Sequence, residues 1–301
     1  MLKKLLYRLV YQPSINYMLR NVIKPITKPF GLRLPFSISG RLKVDFQNVR
    51  FSLNTNPTCA VTQQLFFNGA KNYEFTPLFA HLVTKSKVFF DVGANIGYFT
   101  VLGEKLNPKL RTFSFEPSHG PLHYLKRNLA LNRLRNTMVI DKAIADHTGR
   151  LNFYDVMNPK YPWIIHQLNG SNSLQDKYGA QKQRFYPVDV TTISDIVQVN
   201  KLERIDLIKL DTECTEHQIL KSSMDVISHF KPAIICEVYD VIENQVEEII
   251  KGIDGYKMFH YKAHSLHPFS VFSEIKDDQN RNFVFCHESK LELIRDFFVL
   301  S

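Results

Sequence analysis

The stretch that most constrains this chain is Val88-Phe89-Phe90-Asp91-Val92-Gly93-Ala94-Asn95-Ile96-Gly97-Tyr98-Phe99-Thr100. A continuous apolar run feeds Asp91, as expected of a strand buried on both faces. Two glycines then let the backbone turn tightly and approach a ligand. Asn95 is placed as a helix N-cap, and Phe99, Leu102 and Leu106 recur at helical spacing. A strand, turn and helix in this order put a nucleotide-like cofactor beyond the carboxyl end of a strand in an open α/β sheet.

The glycine spacing narrows the cofactor. A dinucleotide fingerprint reads G-x-G-x-x-G and seats a pyrophosphate on the helix N-terminus. Here Ala94 and Asn95 fall in a Gly93-x-x-x-Gly97 pattern, with Asp91 just before it. A carboxylate there repels a pyrophosphate and suits an amino group or a sulfonium. The next apolar run, Arg111 to Phe115, leads into Glu116, 23 residues past Gly93. An acid at about that distance accepts hydrogen bonds from ribose hydroxyls. The two acids together point to S-adenosylmethionine.

At 301 residues, with 44% hydrophobic residues and 23 Phe, the chain has ample material for a core. Cys59, Cys214, Cys236 and Cys286 are far apart and form no C-x-x-C pair. That argues against a disulfide framework or zinc site and predicts a reducing, cytoplasmic setting. No run of 18 apolar residues predicts a membrane span, and the N-terminal apolar run is too short and interrupted for a signal peptide. The net charge of +9 is local: residues 1–44 hold nine Lys or Arg and no acid, so the remainder balances. Leu2, Leu5, Leu6, Leu9, Val10, Met18, Leu19, Val22 and Ile23 are interspersed with those cations. This basic amphipathic arm suits an anionic membrane surface, and equally a helical segment packed on the domain with its cations in water. Nucleic acid is excluded as a partner, since the body is not basic and carries no recognition motif.

Pro25, Pro29, Gly31 and Pro35 mark a linker-like break. Alternation from Leu42 to Leu53 predicts two short strands, and a helix is expected over about 73–83. Residues 45–85 thus form an N-terminal strand and helix unit, followed by a domain over 86–301. In that domain strands are expected at 88–92, 111–115, 137–141, 205–210, 232–238, 256–261 and 282–287. Helices follow Ser118 and Tyr239. Residues 146–190 read as an insertion, with short strands at 151–156 and 185–190 around a polar loop of the kind that serves as a lid.

A second constellation lies in Ile205-Asp-Leu-Ile-Lys-Leu-Asp-Thr-Glu-Cys-Thr-Glu216. Lys209, Asp211 and Glu213 are two apart, so they share a face if the strand continues. In such a sheet that end lies beside the glycine turn. These three are the candidate catalytic groups, with Asp211 first and Glu213 second as acceptor of a hydroxyl proton. Glu237, at the end of the next strand, adds a carboxylate to the rim. The alternatives are a structural ion-pair network and a divalent cation held by hard oxygens, although no ligand spacing assigns a metal. His119, His217 and Cys214 offer no catalytic pattern, and neighbouring acids make Cys214 a poor thiolate.

With these residues in view, the chain resembles the FkbM family of S-adenosylmethionine-dependent methyltransferases. The matching pieces are Phe90 to Thr100, Phe115-Glu-Pro117, Asp141-Lys-Ala-Ile144, Ser171 to Leu174, Val188 to Ile193, Ile208 to Glu213 with Glu216, and Cys236-Glu-Val238. The resemblance implies a Rossmann-like methyltransferase sheet, mostly parallel with an antiparallel edge and helices on both faces. It implies O-methylation, often of sugars or secondary metabolites. By resemblance, Asp91, Gly93, Asn95 and Gly97 hold the methionine end of the cofactor, with Ala94 and Tyr98 in the same motif. Glu116, followed by Pro117, holds the ribose, and Asp141, Lys142 and Ala143 border the adenine. One departure stands out: Cys214 occupies a position that is usually glycine in the family, which strains the turn if φ is positive there. Tyr161, Trp163 and Tyr178 in the insertion are candidates to stack on a sugar, or to pack a flap. A nicotinamide dehydrogenase and a non-catalytic, membrane-associated adaptor remain as rival readings.

Overall fold

Each central strand carries apolar side chains on both faces, so a layer of helices is required above and below. The computed structural model, which describes residues 2–27, 36–175, 183–275 and 280–298, has this arrangement. The chain begins with helices α1 (Leu2–Val10) and α2 (Pro13–Thr27) and a hairpin of β1 (Gly40–Phe46) and β2 (Val49–Thr55). Helices α3 (Ala60–Asn68) and α4 (Thr76–Thr84) lead into β3 (Val88–Val92), α5 (Tyr98–Leu106), β4 (Arg111–Phe115), α6 (His119–Leu131) and β5 (Thr137–Ile140). Next come β6 (Ala143–Ile144), β7 (Gly149–Val156), β8 (Gln183–Thr191), α7 (Ile193–Val199) and β9 (Leu207–Leu210). Helices α8 (Glu216–Ser222) and α9 (Met224–Phe230), β10 (Ala233–Glu237), α10 (Glu243–Lys251), β11 (Tyr256–Lys262), β12 (Ser265–Phe269) and β13 (Asn282–His287) follow.

The main sheet has eight strands in the order β12-β11-β13-β10-β9-β3-β4-β5. Strands β5, β4, β3, β9 and β10 run parallel, and β13 joins β10 antiparallel, as do β11 to β13 and β12 to β11. The mostly parallel sheet with an antiparallel edge is therefore present. Phe89, Leu207, Ile235 and Val284 face a core shared with α3 to α6 and the hairpin. Their neighbours Phe90, Ile208, Ile234 and Phe285 face the core under α7 to α10. From β3 the chain runs outward to β4 and β5, then returns to β9 on the other side of β3. That reversal opens a crevice at the carboxyl ends of β3 and β9, where open α/β sheets take ligands.

Three local expectations need correction. Gly97, at φ 83, is the N-cap of α5, while Asn95 sits at φ 50 two residues earlier, its Oδ1 accepting from the Ile96 N–H at 2.8 Å. Pro25 lies inside α2, which runs on to Thr27; Pro29, Gly31 and Pro35 lie outside the described residues. The helix expected over about 73–83 is present as α4 but starts at Thr76, with Pro77 in its first turn and a separate 3-10 turn, Ala70–Asn72, before it. The insertion forms a second sheet, β6-β8-β7, with a long loop leaving β7.

Candidate active site

The crevice is built by a close approach of two loops. A Cβ on Gly93 would lie 1.9 Å from the Asp211 carbonyl oxygen, so only glycine fits there. The Gly93 and Ala94 N–H groups donate to the Phe115 carbonyl at 3.1 and 3.0 Å, which ties the turn to β4. Glu116, at the end of β4, accepts the Asn95 N–H on Oε2 at 2.7 Å and the Ser118 N–H on Oε1 at 2.8 Å. Each oxygen keeps a second lone pair, which suits a hydroxyl donor. Burial pushes the Glu116 carboxyl up to about 8, although its backbone donors pull it down.

A cleft open to solvent lies here at the carboxyl ends of the strands. Of the residues singled out from sequence, Gly93, Asn95, Glu116, Pro117, Lys142, Ala143, Asp211, Glu213 and Glu237 line it. Phe115, Pro121, Ile144, Phe153 and Leu174 give the Glu116 side an apolar wall.

The other candidates do not line the cleft. Asp91 is fully buried beneath it, accepting from Thr100 Oγ1 at 2.5 Å and lying 3.6 Å from Lys209 Nζ. Burial pushes its carboxyl up, opposed by the Lys209 charge. A direct grip on the methionine end is thus replaced by support of the floor. Lys209 is also enclosed, donating to the Gly93 carbonyl at 3.1 Å and lying 3.1 Å from Asp211 Oδ2. Burial alone would lower Lys209, but Asp211 and then Asp91 more than offset it, and its ammonium is raised. Lys209 thus lies beneath the cleft and ties Gly93, Asp91 and Asp211 together. Ala94 is buried, Gly97 abuts Leu125 of α6, and Tyr98 is buried with its hydroxyl 3.0 Å from Thr76 Oγ1. Asp141 is exposed, 3.9 Å from Lys126.

Strand β9 ends at Leu210, so the shared face of Lys209, Asp211 and Glu213 does not extend as a strand. Glu213 and Cys214 take left-handed backbone, with φ 60 and 82. This turns their carbonyls to the insertion: Ser173 Oγ donates to the Glu213 oxygen at 2.8 Å, and Gln175 Nε2 to the Cys214 oxygen at 2.9 Å. Glu216, fully buried, closes the same loop by accepting from the Thr212 N–H at 2.6 Å and from its hydroxyl at 2.9 Å. Its carboxyl is pushed up to about 7 by burial.

Carboxylate oxygens of Asp211, Glu213 and Glu237 all lie within 4.8 Å of one another. Tyr239 donates to Glu213 Oε2 at 2.9 Å, with the Arg281 guanidinium 4.2 Å above its ring. Burial and then the Asp211 charge push the Glu237 carboxyl up, which favours its protonated form. Glu74 stands in the same cleft and is pushed up to about 7, first by desolvation and then by Asp211. Like charges this close are relieved by a shared proton or by a hard cation, and this oxygen set suits either. Glu74, Tyr239 and Gln175 escaped the sequence reading, because none sits in a spacing that singles it out, and Ser173 entered only within the stretch Ser171 to Leu174, with no role given to it. Tyr161 and Trp163 do not stack over the cleft: Tyr161 is buried against Tyr11, with ring centroids 5.4 Å apart, and Trp163 lies beside Tyr161 and Arg8. Tyr178 lies outside the described residues.

The FkbM methyltransferase domain family matches residues 91–263, more than half of the chain. The chain belongs to the FkbM methyltransferase family. Its methyltransferase domain takes S-adenosylmethionine, and the Glu116 cradle with its free lone pairs fits that cofactor's ribose. Among relatives of this FkbM domain is a 31-O-demethyl-FK506 methyltransferase of Streptomyces tacrolimicus, 26% identical over 187 residues, or 56% of this chain and 71% of the relative. A methyltransferase of Sordaria araneosa is 25% identical over 54% of this chain and 72% of its own. A solved FkbM methyltransferase from Methylobacillus flagellatus matches 76% of this chain at 18% identity, with a TM-score of 0.44. The chain spans 56% of the length of that structure's chain.

Proposed function

We propose that the protein transfers a methyl group from S-adenosylmethionine to a hydroxyl of a sugar, glycan or related metabolite. The observation that carries this reading is the cleft itself, with the Glu116 cradle at one end and Asp211, Glu213 and Glu237 at the other. Glu116 accepts the ribose hydroxyls, and Lys142 and Ala143 border the adenine beside the apolar wall. Asn95 and Gly93 bound the methionine end with backbone. When bound, the cofactor supplies an electrophilic methyl group on a sulfonium.

Asp211 takes the proton of the acceptor hydroxyl, and Lys209, 3.1 Å away, fixes its orientation from below. Glu237 donates a hydrogen bond to another acceptor oxygen, and Glu213, held by Tyr239, accepts one from a further hydroxyl, which suits a polyhydroxylated ring. Ser173 and Gln175 hold the insertion down as the roof that keeps water out. Residues 1–44 form an arm that meets a membrane surface, residues 45–85 a wall, and 86–301 the catalytic body.

Asp211→Asn tests the assignment. It leaves the affinity for S-adenosylmethionine unchanged by calorimetry and lowers kcat by about 100-fold or more. Unchanged turnover would remove Asp211 as the proton acceptor, and loss of cofactor affinity would place it in the cofactor site instead.

A further inference from the structure

Helix α2 is packed inside out. Asn16 and Arg20, one turn apart on α2, are buried against the domain. Asn16 Nδ2 donates to the Ser37 carbonyl at 3.1 Å, its Oδ1 accepts from the Ser39 N–H at 2.9 Å, and Arg20 donates to the Arg41 carbonyl. The opposite side carries Met18, Val22 and Ile26 at four-residue spacing, 68%, 61% and 60% exposed. On α1, Leu5 and Leu9 are 66% and 54% exposed. A helix that packs on its own domain for stability does the reverse, burying its apolar stripe and wetting its polar one. Eight of the 13 exposed large hydrophobic side chains among the described residues lie on α1 and α2. So many on two short helices form a patch of the kind that marks an interaction surface.

Charge identifies what covers it. Residues 1–44 contain nine cations and no acid. A second copy of this chain, docked by a twofold axis, would set those cations against their own image. An anionic lipid surface takes both features at once, accepting the aliphatic side chains at the acyl boundary while the arm's excess positive charge, apart from the buried Arg20, faces its head groups.

The helices also rest on the roof of the cleft. Tyr11 packs edge-on against Tyr161, with centroids 5.4 Å apart, and Arg8 lies 5.4 Å over the ring of Trp163. The same loop runs on to Asn169, Asn172 and Leu174, which line the cleft. We infer that α1 and α2 seat the protein on an anionic bilayer through Leu5, Leu9, Met18, Val22 and Ile26, and that the acceptor is carried on that bilayer beside the roof. The second clause rests on the methyl-transfer reading; the docking stands without it.

Flotation of the full chain with phosphatidylcholine vesicles, with and without phosphatidylglycerol, tests this. Trp163 is the only tryptophan in the sequence and reports directly on the contact with α1. The chain floats with the anionic vesicles, stays behind with the neutral ones, and its tryptophan emission shifts on binding. The variant Leu5→Glu, Leu9→Glu, Met18→Glu, Val22→Glu alters only exposed positions. It loses vesicle binding by tenfold or more and keeps its affinity for S-adenosylmethionine. Failure of the natural chain to float, equal flotation of the variant, or a dimer that covers these helices in light scattering would overturn the docking. Loss of cofactor affinity in the natural chain would instead sink the methyl-transfer reading and leave the vesicle result intact. Methylation of membrane-extracted glycolipids no faster on vesicles than in detergent would refute the bilayer-borne acceptor alone.

Discussion

Cys214 carries the sharpest residue-level conflict in the chain, a side chain other than glycine at φ 82 in the loop that bears the acids. Left-handed backbone costs such a residue about 1–2 kcal/mol. Its thiol is also buried in the core under α8, so removing it forfeits burial worth about 1 kcal/mol. The two effects nearly cancel, and Cys214→Gly is expected to leave the thermal midpoint almost unchanged. Cys214→Val is close to the same size but β-branched, and is expected to cost about 2 kcal/mol or more by denaturant unfolding, because branching is tolerated worst at positive φ. The opposite order, with Val neutral and Gly destabilising, would mean that this backbone is ordinary. The sequence supports the conflict through one departure from a family pattern. It offered no such handle on Glu74, whose place in the cleft depends on a turn at φ 41 between two helical segments.

At the scale of elements, seven of the eight strands of the main sheet were legible as apolar runs bounded by polar residues, each within two residues of where the pattern puts it, whereas β12, short and with Pro268 inside it, escaped the pattern. The insertion was legible as an interruption and illegible in detail, since polar loops leave no period. Its aromatic residues prove the point: Tyr161 packs against the N-terminal helices, a contact between segments about 150 residues apart that no local pattern encodes. Another long-range contact is made by amides. Asn128 of α6 accepts the Asn54 N–H of β2 at 2.6 Å and donates to the Ile96 carbonyl of the glycine turn at 2.9 Å. Asn132, one turn on, accepts from the Ser52 N–H at 3.0 Å and donates to the Ser52 carbonyl at 2.8 Å. These side chains occupy the open edge of β2, which would otherwise present unpaired groups. Asn128→Leu leaves a buried N–H and a carbonyl without partners, and is expected to destabilise the fold by about 2–4 kcal/mol in urea unfolding. A loss below about 0.5 kcal/mol would show that water replaces the amide.

Across the whole molecule, burial has gathered acids whose protonated forms are favoured. Glu116 is pushed to about 8 and Glu216 and Glu74 to about 7 from an ordinary value of 4.5, each first by desolvation. An acid raised in the folded state binds more protons folded than unfolded between the two values. Its contribution to stability is complete below about pH 4.5 and is lost as pH rises through about 7 to 8. The ligand-free protein is therefore expected to become less stable across that window by thermal unfolding. S-adenosylmethionine brings hydroxyl donors and a positive charge that favour the ionised acids, so its affinity is expected to rise over the same range by calorimetry. A flat affinity between about pH 6 and pH 8.5 would remove Glu116 from the cofactor contact. The approach of Gly93 to the Asp211 carbonyl has a consequence for how such a protein diversifies. The platform that receives the donor and the one that receives the acceptor are welded at a single atom's clearance, so neither can drift alone. New acceptor preferences must then arise overhead, in the loop around Asn169 to Leu174 and the side wall at Ala60 to Gln64, which line the cleft away from that contact.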